Sequence, residues 1–256
     1  MFERPHHQRI AQVLLTLNGS LLREHNCLFG GGTAIALRYG EYRESVDIDF
    51  LVSEIDSYRQ LRLLITSAQG IAVLFRQETD LISQTREVRA DQYGIRTMLL
   101  VGGQQIKFEI ILEGRIKLQS PGDKNQICGV STLSSLDMAA SKLLANSDRW
   151  ADESVFSRDL IDLAMMRPSK SLFSAAVKKA EQPYGNAIVK DIVKAIEKFQ
   201  PRPDWLERCM LVMEINIPKA VLWERIRTLQ QRVSHLLATS TWLSAMTKRC
   251  VGMRVR

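Results

Sequence analysis

Hydrophobic and polar positions follow different periods in successive parts of the chain, and these periods predict its elements. In residues 7–24 the apolar positions have the spacing of one helix face, which predicts a single helix. Residues 27–29 form a short apolar run, and VDIDFLV (46–52) alternates before it becomes wholly apolar, as expected of strands. A short helix after Gly30–Gly32, capped by Thr33, and another over 58–67 complete this region.

The second pattern is a predicted hairpin followed by helices alone. Residues 84–100 and 105–112 are extended runs joined by Gly102 and Gly103, which favour a tight turn. PGDKNQ is a polar linker, so we predict domains at 1–125 and 126–256. Helices are predicted beyond it at 131–145, 155–166, 186–199, 204–213 and 218–237. The fold class expected is α+β, with an all-helical C-terminal domain.

Composition is that of a globular protein, with 45% hydrophobic and 25% charged residues. The N-terminus lacks the apolar segment of a signal peptide and no apolar run approaches membrane-spanning length, so we expect a cytoplasmic protein without membrane contact. The cysteines lie far apart without a CxxC pair, which favours reduced thiols over zinc binding. His6 and His7 are interpreted as surface residues.

The charge is distributed unevenly. Residues 1–125 contain 15 Lys+Arg and 15 Asp+Glu, whereas residues 126–256 contain 20 and 13, so the net charge of +7 belongs to the second part. This excess suggests an anionic partner such as RNA. A solvated helical surface would explain the same counts.

Two aspartates at alternate positions are the first chemical signal. Asp47 and Asp49 should point to one face of their strand, while Val46, Ile48 and Phe50 pack behind. Two carboxylates about 4 Å apart repel by roughly 4 kcal/mol at an effective dielectric near 20. A divalent cation would remove that cost, and oxygen ligands favour Mg²⁺, with Mn²⁺ as a substitute.

The glycines before the helix are the second signal. Gly31 and Gly32 have no Cβ, so their backbone N–H groups can approach a phosphate at the positive end of the helix. Together with the aspartates they predict a nucleoside triphosphate site. Glu109, on the polar face of the hairpin, would complete a metal centre with Asp47 and Asp49. Alternatively, Glu109 is a surface residue paired with Lys107.

GGTAIALRYGEYRESVDIDF resembles the first motif of the AbiEii family of nucleotidyltransferase toxins, within the DNA polymerase beta-like superfamily. The matching residues are Gly31, Gly32, Thr33, Arg43, Ser45, Asp47 and Asp49. MAASKLLANSDRW and SRDLIDL resemble the later motif of the family, at Lys142, Arg158, Asp159, Asp162 and Leu163. The resemblance covers residues 28–166, and Glu109 departs from the aspartate common in the superfamily.

The resemblance implies a polymerase beta-like mixed sheet with flanking helices, and transfer of a nucleoside monophosphate from an NTP to an acceptor. Relatives include toxins that modify tRNA and are countered by a separately encoded protein antitoxin. By this resemblance Asp47 and Asp49 hold the metal, and Glu109 positions or deprotonates the acceptor hydroxyl. Lys142, from the helical domain, binds the triphosphate, Asp159 orients Lys142 or the acceptor, and Ser45 contacts a phosphate. The nucleotide-binding set is then Gly31, Gly32, Thr33, Arg43, Ser45 and Lys142.

Two other functions remain open at this point. The same chemistry could act on a small cationic molecule such as an aminoglycoside, and the basic second part argues against that. The chain could instead be an inactive nucleotide- or RNA-binding module, and the intact Asp47, Asp49 and Lys142 argue against that. Independently of these functions, Lys142 could be a solvated charge and Asp159 a first-turn helix acid.

Overall fold

The computed structural model describes residues 2–76, 81–200, 202 and 204–252, and of 239–252 it describes only the backbone. The helices in these ranges are α1 (Pro5–Thr16), α2 (Gly19–Glu24), α3 (Gly31–Arg38), α4 (Ile55–Ile65), α5 (Ser135–Arg149), α6 (Arg158–Met165), α7 (Lys170–Tyr184), α8 (Ala187–Glu197), α9 (Trp205–Val212) and α10 (Lys219–Gly252). The strands are β1 (Leu28–Phe29), β2 (Ile48–Val52), β3 (Ile82–Gln84), β4 (Arg89–Ala90), β5 (Gly94–Val101), β6 (Gln104–Leu112), β7 (Gln126–Ile127) and β8 (Val130–Ser131).

A mixed sheet forms the first part of the chain. Its strand order is β1-β2-β6-β5-β3, and β4 also pairs with β5. The β2–β6 pair is parallel and places Asp49 opposite Glu109, so both side chains emerge on the same face. The predicted hairpin turn is confirmed, with φ of 53° at Gly102 and 78° at Gly103. Phe50 packs in the sheet core against Phe29 and Phe108, with ring centroids 5.5 and 5.7 Å apart.

Several predicted boundaries were wrong because tertiary contacts override local periodicity. The predicted helix 7–24 is two helices, since Leu17 bridges to Phe75 and the Asn18 N–H donates to the Leu74 carbonyl over 2.7 Å. The extended run 84–100 is divided among β3, β4 and β5. The strand predicted from residue 46 begins at Ile48, and Val46 is 48% exposed instead of packing behind the aspartates.

The second part is helical after a short antiparallel ladder of β7 and β8. A Ser134 cap starts α5, where its hydroxyl accepts the Asp137 N–H over 3.1 Å. Helix α5 packs on α6, α7 and α8, and α10 runs past the predicted end at 237. Buried apolar residues of both parts form one cluster. The domain boundary at residue 125 stays a prediction.

Two details concern expectations about membranes and thiols. Among the described residues no helix combines the length and apolar character needed to cross a bilayer. Cys27, Cys128 and Cys209 are free thiols, and the side chain of Cys250 lies outside the described part. Burial raises the pKa of the Cys27 and Cys209 thiols, so both favour the neutral form.

Candidate active site

A cavity of about 600 Å³ lies where α3, β2, β6, α5 and the segment before α6 meet. Most of the predicted site residues line it: Gly31, Gly32, Arg43, Ser45, Asp47, Asp49, Glu109 and Lys142. Thr33 and Asp159 do not line it, and both lie just behind its wall. The sheet and the helical part therefore contribute to one site.

The glycine bend fits closely against β2. The Gly30 N–H donates to the Asp49 carbonyl over 2.8 Å, and α3 begins at Gly31. Gly31 has φ of +66°, and a Cβ there would lie 2.4 Å from Asp49 Oδ2. A Cβ on Gly32 would lie 2.3 Å from a terminal nitrogen of Arg43. Only glycine at position 31 lets the N-terminus of α3 approach the Asp49 carboxylate.

Thr33 has a different role from the predicted cap, because it is the third residue of α3 and is buried. Its hydroxyl lies 2.5 Å from the Asp47 carbonyl oxygen and 2.8 Å from the Ser45 hydroxyl. Thr33 thus fixes the segment that carries Asp47 into the cavity. The prediction of a Thr33 cap was wrong because the helix starts three residues earlier, with Gly30 as its N-cap.

His7 supports the same segment from α1. It is fully buried, so its interpretation as a surface residue was wrong. Its Nε2 accepts the Ser45 backbone N–H over 3.1 Å, and its Nδ1 lies 2.8 Å from Glu41 Oε1. Burial lowers the pKa of His7, despite the opposing effect of Glu41. The neutral ring therefore carries its proton on Nδ1 and accepts at Nε2.

Asp47 and Asp49 both point into the cavity, and their carboxylates have no hydrogen-bond or ion-pair partner among the described residues. Burial, and after it the charges of Asp47 and Glu109, raise the pKa of Asp49 to about 6. Lys107 and Lys142 oppose this shift only partly. The pair is therefore a concentration of uncompensated negative charge, which a divalent cation would relieve.

Glu109 lies beside Asp49 but already holds two cations. Its Oε1 is 2.9 Å from Arg96 Nε, and its Oε2 is 2.6 Å from Lys107 Nζ. Within the described ranges, no three Asp, Glu, His or Cys side chains are arranged to hold a metal ion. Glu109 could act as a third ligand only by releasing one of its ion pairs.

The opposite wall contains a buried charge cluster around Asp162. Lys142 Nζ lies 2.9 Å from Asp159 Oδ1 and 2.7 Å from Asp162 Oδ2. Arg43 donates to both oxygens of Asp162 over 2.7 and 3.0 Å, and the Tyr42 hydroxyl donates to Oδ1 over 2.5 Å. Every member is buried. Arg43, a predicted nucleotide ligand, is thereby tied to α6.

The pKa shifts of the aspartates in this cluster are opposite to that of Asp49. Burial alone would lower the pKa of Lys142, but Asp159 and Asp162 raise it. Burial would likewise raise the pKa of both aspartates, but their cationic neighbours lower it. Arg149, which the sequence reasoning missed, donates to Asp159 over 2.7 Å. Asp162 was identified only as a motif match, and its position as the centre of the cluster appears only in three dimensions.

Solved structures share the fold of a mixed sheet with flanking helices. JHP933 from Helicobacter pylori superposes with a TM-score of 0.53 at 16% identity, over 96% of this chain and 100% of that protein. A second H. pylori structure, provisionally assigned as a nucleotidyltransferase, gives 0.50 at 16% identity, over 91% and 96%. No curated protein matches the sequence significantly.

The family follows from the sequence match. The family model described as "Nucleotidyl transferase AbiEii toxin, Type IV TA system" matches residues 16–242. The chain therefore belongs to the AbiEii family of nucleotidyltransferase toxins, which confirms the resemblance and the enzyme class. Family membership implies an NTP substrate and an antitoxin partner.

Proposed function

We propose that this chain transfers a nucleoside monophosphate from an NTP to an RNA acceptor, with tRNA as the expected RNA, in a Mg²⁺-dependent reaction. The observation that carries this proposal is the unpartnered Asp47–Asp49 pair, set in a cavity against the N-terminus of α3. The reaction would make the chain the toxin of a toxin–antitoxin pair, countered by a separately encoded protein.

The aspartate pair fits a hard divalent cation. Asp47 and Asp49 offer only oxygen donors, and the pKa of Asp49 is raised by burial first and by the neighbouring charges of Asp47 and Glu109 second. These two residues would hold Mg²⁺ or Mn²⁺, with Glu109 as a further ligand after loss of one ion pair. When bound, the ion would neutralise the carboxylates and bind phosphate oxygens of the NTP.

The other residues of the site would bind and align the triphosphate. The backbone N–H groups of Gly31 and Gly32 lie at the positive end of α3, and the Ser45 hydroxyl lies in the same wall. Thr33 would act through Ser45 and Asp47, which it holds in place.

The buried cluster together with the partly buried Arg149 has a net positive charge that suits the same ligand. Lys142, Arg43 and Arg149 carry three positive charges, and Asp159 and Asp162 carry two negative ones, so 3 − 2 = +1. All three cations line the cavity. Asp159 would orient Lys142, whose ammonium it contacts, and alignment with charge neutralisation is most of what nucleotidyl transfer requires.

The lining of the cavity would be clearly positive once a divalent cation is bound. Five acidic side chains line it beside six cationic ones: Glu44, Asp47, Asp49, Glu109 and Glu113, and Arg43, Lys107, Arg115, Lys142, Arg149 and Arg158. A divalent cation on the aspartate pair would add two positive charges to this near-balance, which would favour a nucleic acid over a polycationic acceptor such as an aminoglycoside. Glu109, freed from Lys107, is the group that would position or deprotonate the acceptor hydroxyl.

The test is transfer of label from each radiolabelled NTP to total RNA in the presence of Mg²⁺. Wild type is compared with Asp49→Asn and with the matched control Asp56→Asn, whose exposed carboxylate on α4 lies outside the cavity. We expect label in a tRNA-sized band with wild type and control, and a loss of roughly 100- to 1,000-fold with Asp49→Asn, the scale seen when one transition-state contact is removed.

Two results would contradict the proposal. Transfer of label to an added aminoglycoside, with none to RNA, would assign the same chemistry to a small acceptor. Absence of turnover with every NTP and acceptor, together with intact RNA binding, would make the chain an inactive binding module.

A further inference from the structure

A second cavity, of about 870 Å³, lies apart from the active site, between the C-terminal end of α6 and one face of α10, with Tyr39 at its edge. Three arginines line it, namely Arg167, Arg225 and Arg232, and we call it the arginine cleft. Arg225 and Arg232 are one heptad apart on α10, so they lie on the same helix face.

The three guanidinium groups lack acidic partners within the described part of the chain. Arg225 donates to Met165 Sδ over 2.8 Å, and a thioether sulfur is a weak acceptor. The acid at the rim, Glu224, already pairs with Arg227. Burial and the charge of Arg167 both lower the pKa of Arg225. The cleft thus gathers positive charge that a bound anion would stabilise.

Two helices connect the cleft to the active site. Helix α3 begins at Gly31 in the catalytic cavity, and Tyr39, just after its last residue, lines the cleft. These eight steps span about 12 Å of helix axis. Helix α6 likewise places Asp162 in the buried catalytic cluster and Ala164 in the cleft. Because most of α3 is buried, RNA would have to pass around it, and at one phosphate per roughly 3.4 Å about three or four nucleotides is the minimum that would bridge the two cavities.

We propose that the arginine cleft binds backbone phosphates of the acceptor RNA, a few nucleotides from the end that enters the catalytic cavity. This inference rests on the RNA acceptor of the proposed function. Arg225 and Arg232 supply the phosphate contacts from one side and Arg167 from the other. Tyr39 adds an aromatic ring on which a base can stack. The basic excess of residues 126–256 then has a defined place to act.

The experiment measures RNA binding without catalysis. Binding of a fluorescent single-stranded RNA oligonucleotide to the Asp49→Asn chain is followed by anisotropy, without NTP, at several salt concentrations. The double variant Arg225→Gln/Arg232→Gln is compared with Lys178→Gln/Lys190→Gln, which removes two exposed cations from α7 and α8, outside both cavities. Thermal unfolding checks that both variants fold.

If the cleft binds phosphates, the arginine variant weakens RNA binding by roughly tenfold near 0.15 M salt. It also reduces the slope of log K against log salt by about 1.4, since each single-strand phosphate contact contributes about 0.7. The lysine variant should behave as the parent. Equal affinity and slope in both variants would overturn the proposal.

A second measurement uses the wild-type chain, in case the arginine variant does not fold. RNA carrying a photoreactive base near its 3′ end should cross-link to the peptide containing Tyr39 or to the first half of α10, and cross-links confined to other elements would overturn the proposal. The two proposals can fail separately. If the arginine variant loses RNA binding but wild type with NTP labels no RNA, the cleft is an RNA-binding site and RNA is not the acceptor.

Discussion

Two pairs of aspartates lie at the active site, and they differ in whether cationic side chains contact their carboxylates. Asp47 and Asp49, on the sheet wall, have no partner in the described part, and the pKa of Asp49 is raised to about 6. Asp159 and Asp162, on the helical wall, contact Lys142, and the pKa of each is lowered. Burial raises the pKa of Asp49, Asp159 and Asp162 alike, so the neighbouring cations decide the difference between Asp49 and the other two.

The comparison distinguishes acids that bind a ligand from acids that hold the fold together. A buried charge without a partner is costly, so an unpaired acid pair persists where a bound ion or substrate stabilises it. A compensated pair fixes the relative positions of the elements that carry it. Here Asp162 holds α6, through Arg43, to the segment that leads into β2.

The largest expected effect is on stability, from Asp162→Asn. The change leaves Arg43 and Lys142 buried with one carboxylate fewer, and breaking such a pair costs about 3–5 kcal/mol. Urea denaturation at neutral pH measures the free energy of unfolding. Asp56→Asn, at an exposed ion pair, should change it by less than about 1 kcal/mol. An Asp162→Asn chain as stable as the control would show that the cluster is not a framework.

The second prediction concerns pH and the opposite pair. The folded-state pKa of Asp49 is about 6, above its ordinary 3.8, so the folded state favours the neutral carboxyl. Its contribution to the free energy of unfolding is therefore fully present below pH 3.8 and is lost as the pH rises through 6. Asparagine stays neutral at every pH, so in the absence of metal the free energy of unfolding of Asp49→Asn should exceed that of wild type by roughly 3 kcal/mol at pH 8. Near pH 4 the two should be equal.

Mg²⁺ sharpens this second prediction. The ion should raise the free energy of unfolding of wild type at pH 8 and have little effect on Asp49→Asn. The difference in stability between the two chains should therefore become smaller. Unfolding curves at pH 4, 6 and 8, with and without Mg²⁺, provide the measurement. A variant less stable than wild type at pH 8 without metal would mean that Asp49 is compensated like Asp162.

Gly31→Ala should weaken the contact between α3 and the acid pair. Its positive φ costs a side chain about 1–2 kcal/mol, and the new methyl group would collide with Asp49. Gly40→Ala is the matched control, since Gly40 has φ of +87° and open space around its Cβ position. Both variants should lose the stability that the positive φ costs, and Gly31→Ala should lose more because of the collision. Only Gly31→Ala should lose about 100-fold in activity, as expected for a displaced reacting group. Equal losses of activity in the two variants would show that the glycine bend has no specific role in catalysis.

The smallest expected effect is at His7, which supports Ser45 from outside the site. His7→Asn removes the acceptor of the Ser45 N–H and should cost about 1–2 kcal/mol of stability, with a fall in kcat rather than a rise in KM. His7→Gln places an amide oxygen near the former Nε2 and should restore most of the loss. The two variants are compared by steady-state kinetics and thermal unfolding. Identical kinetics for both would leave His7 with a packing role only.

The parts of the site that could be predicted from sequence are those fixed by local chemistry. Gly31, Gly32 and the alternate Asp47 and Asp49 lie within twenty residues, and both the close approach and the shared face follow from backbone geometry. The Gly102–Gly103 turn is local in the same way.

The rest depends on contacts between distant residues. Ser45 meets His7 across 38 positions, and Arg43 meets Asp162 across 119. No local period shows that His7 is buried or that Lys142 is neutralised by two carboxylates. For the same reason the predicted helix 7–24 was divided by a contact with Phe75, which belongs to another segment.

The parallel β2–β6 pair also has a consequence for the order of synthesis. Asp49 leaves the ribosome well before Glu109, and the cationic wall closes only when α6, ending at Met165 of 256 residues, has emerged. A nascent chain shorter than this has the acid pair and the glycine bend but no Lys142–Asp162 contact. A nascent chain that ends before Asp162 therefore lacks the carboxylate that joins Arg43 to Lys142.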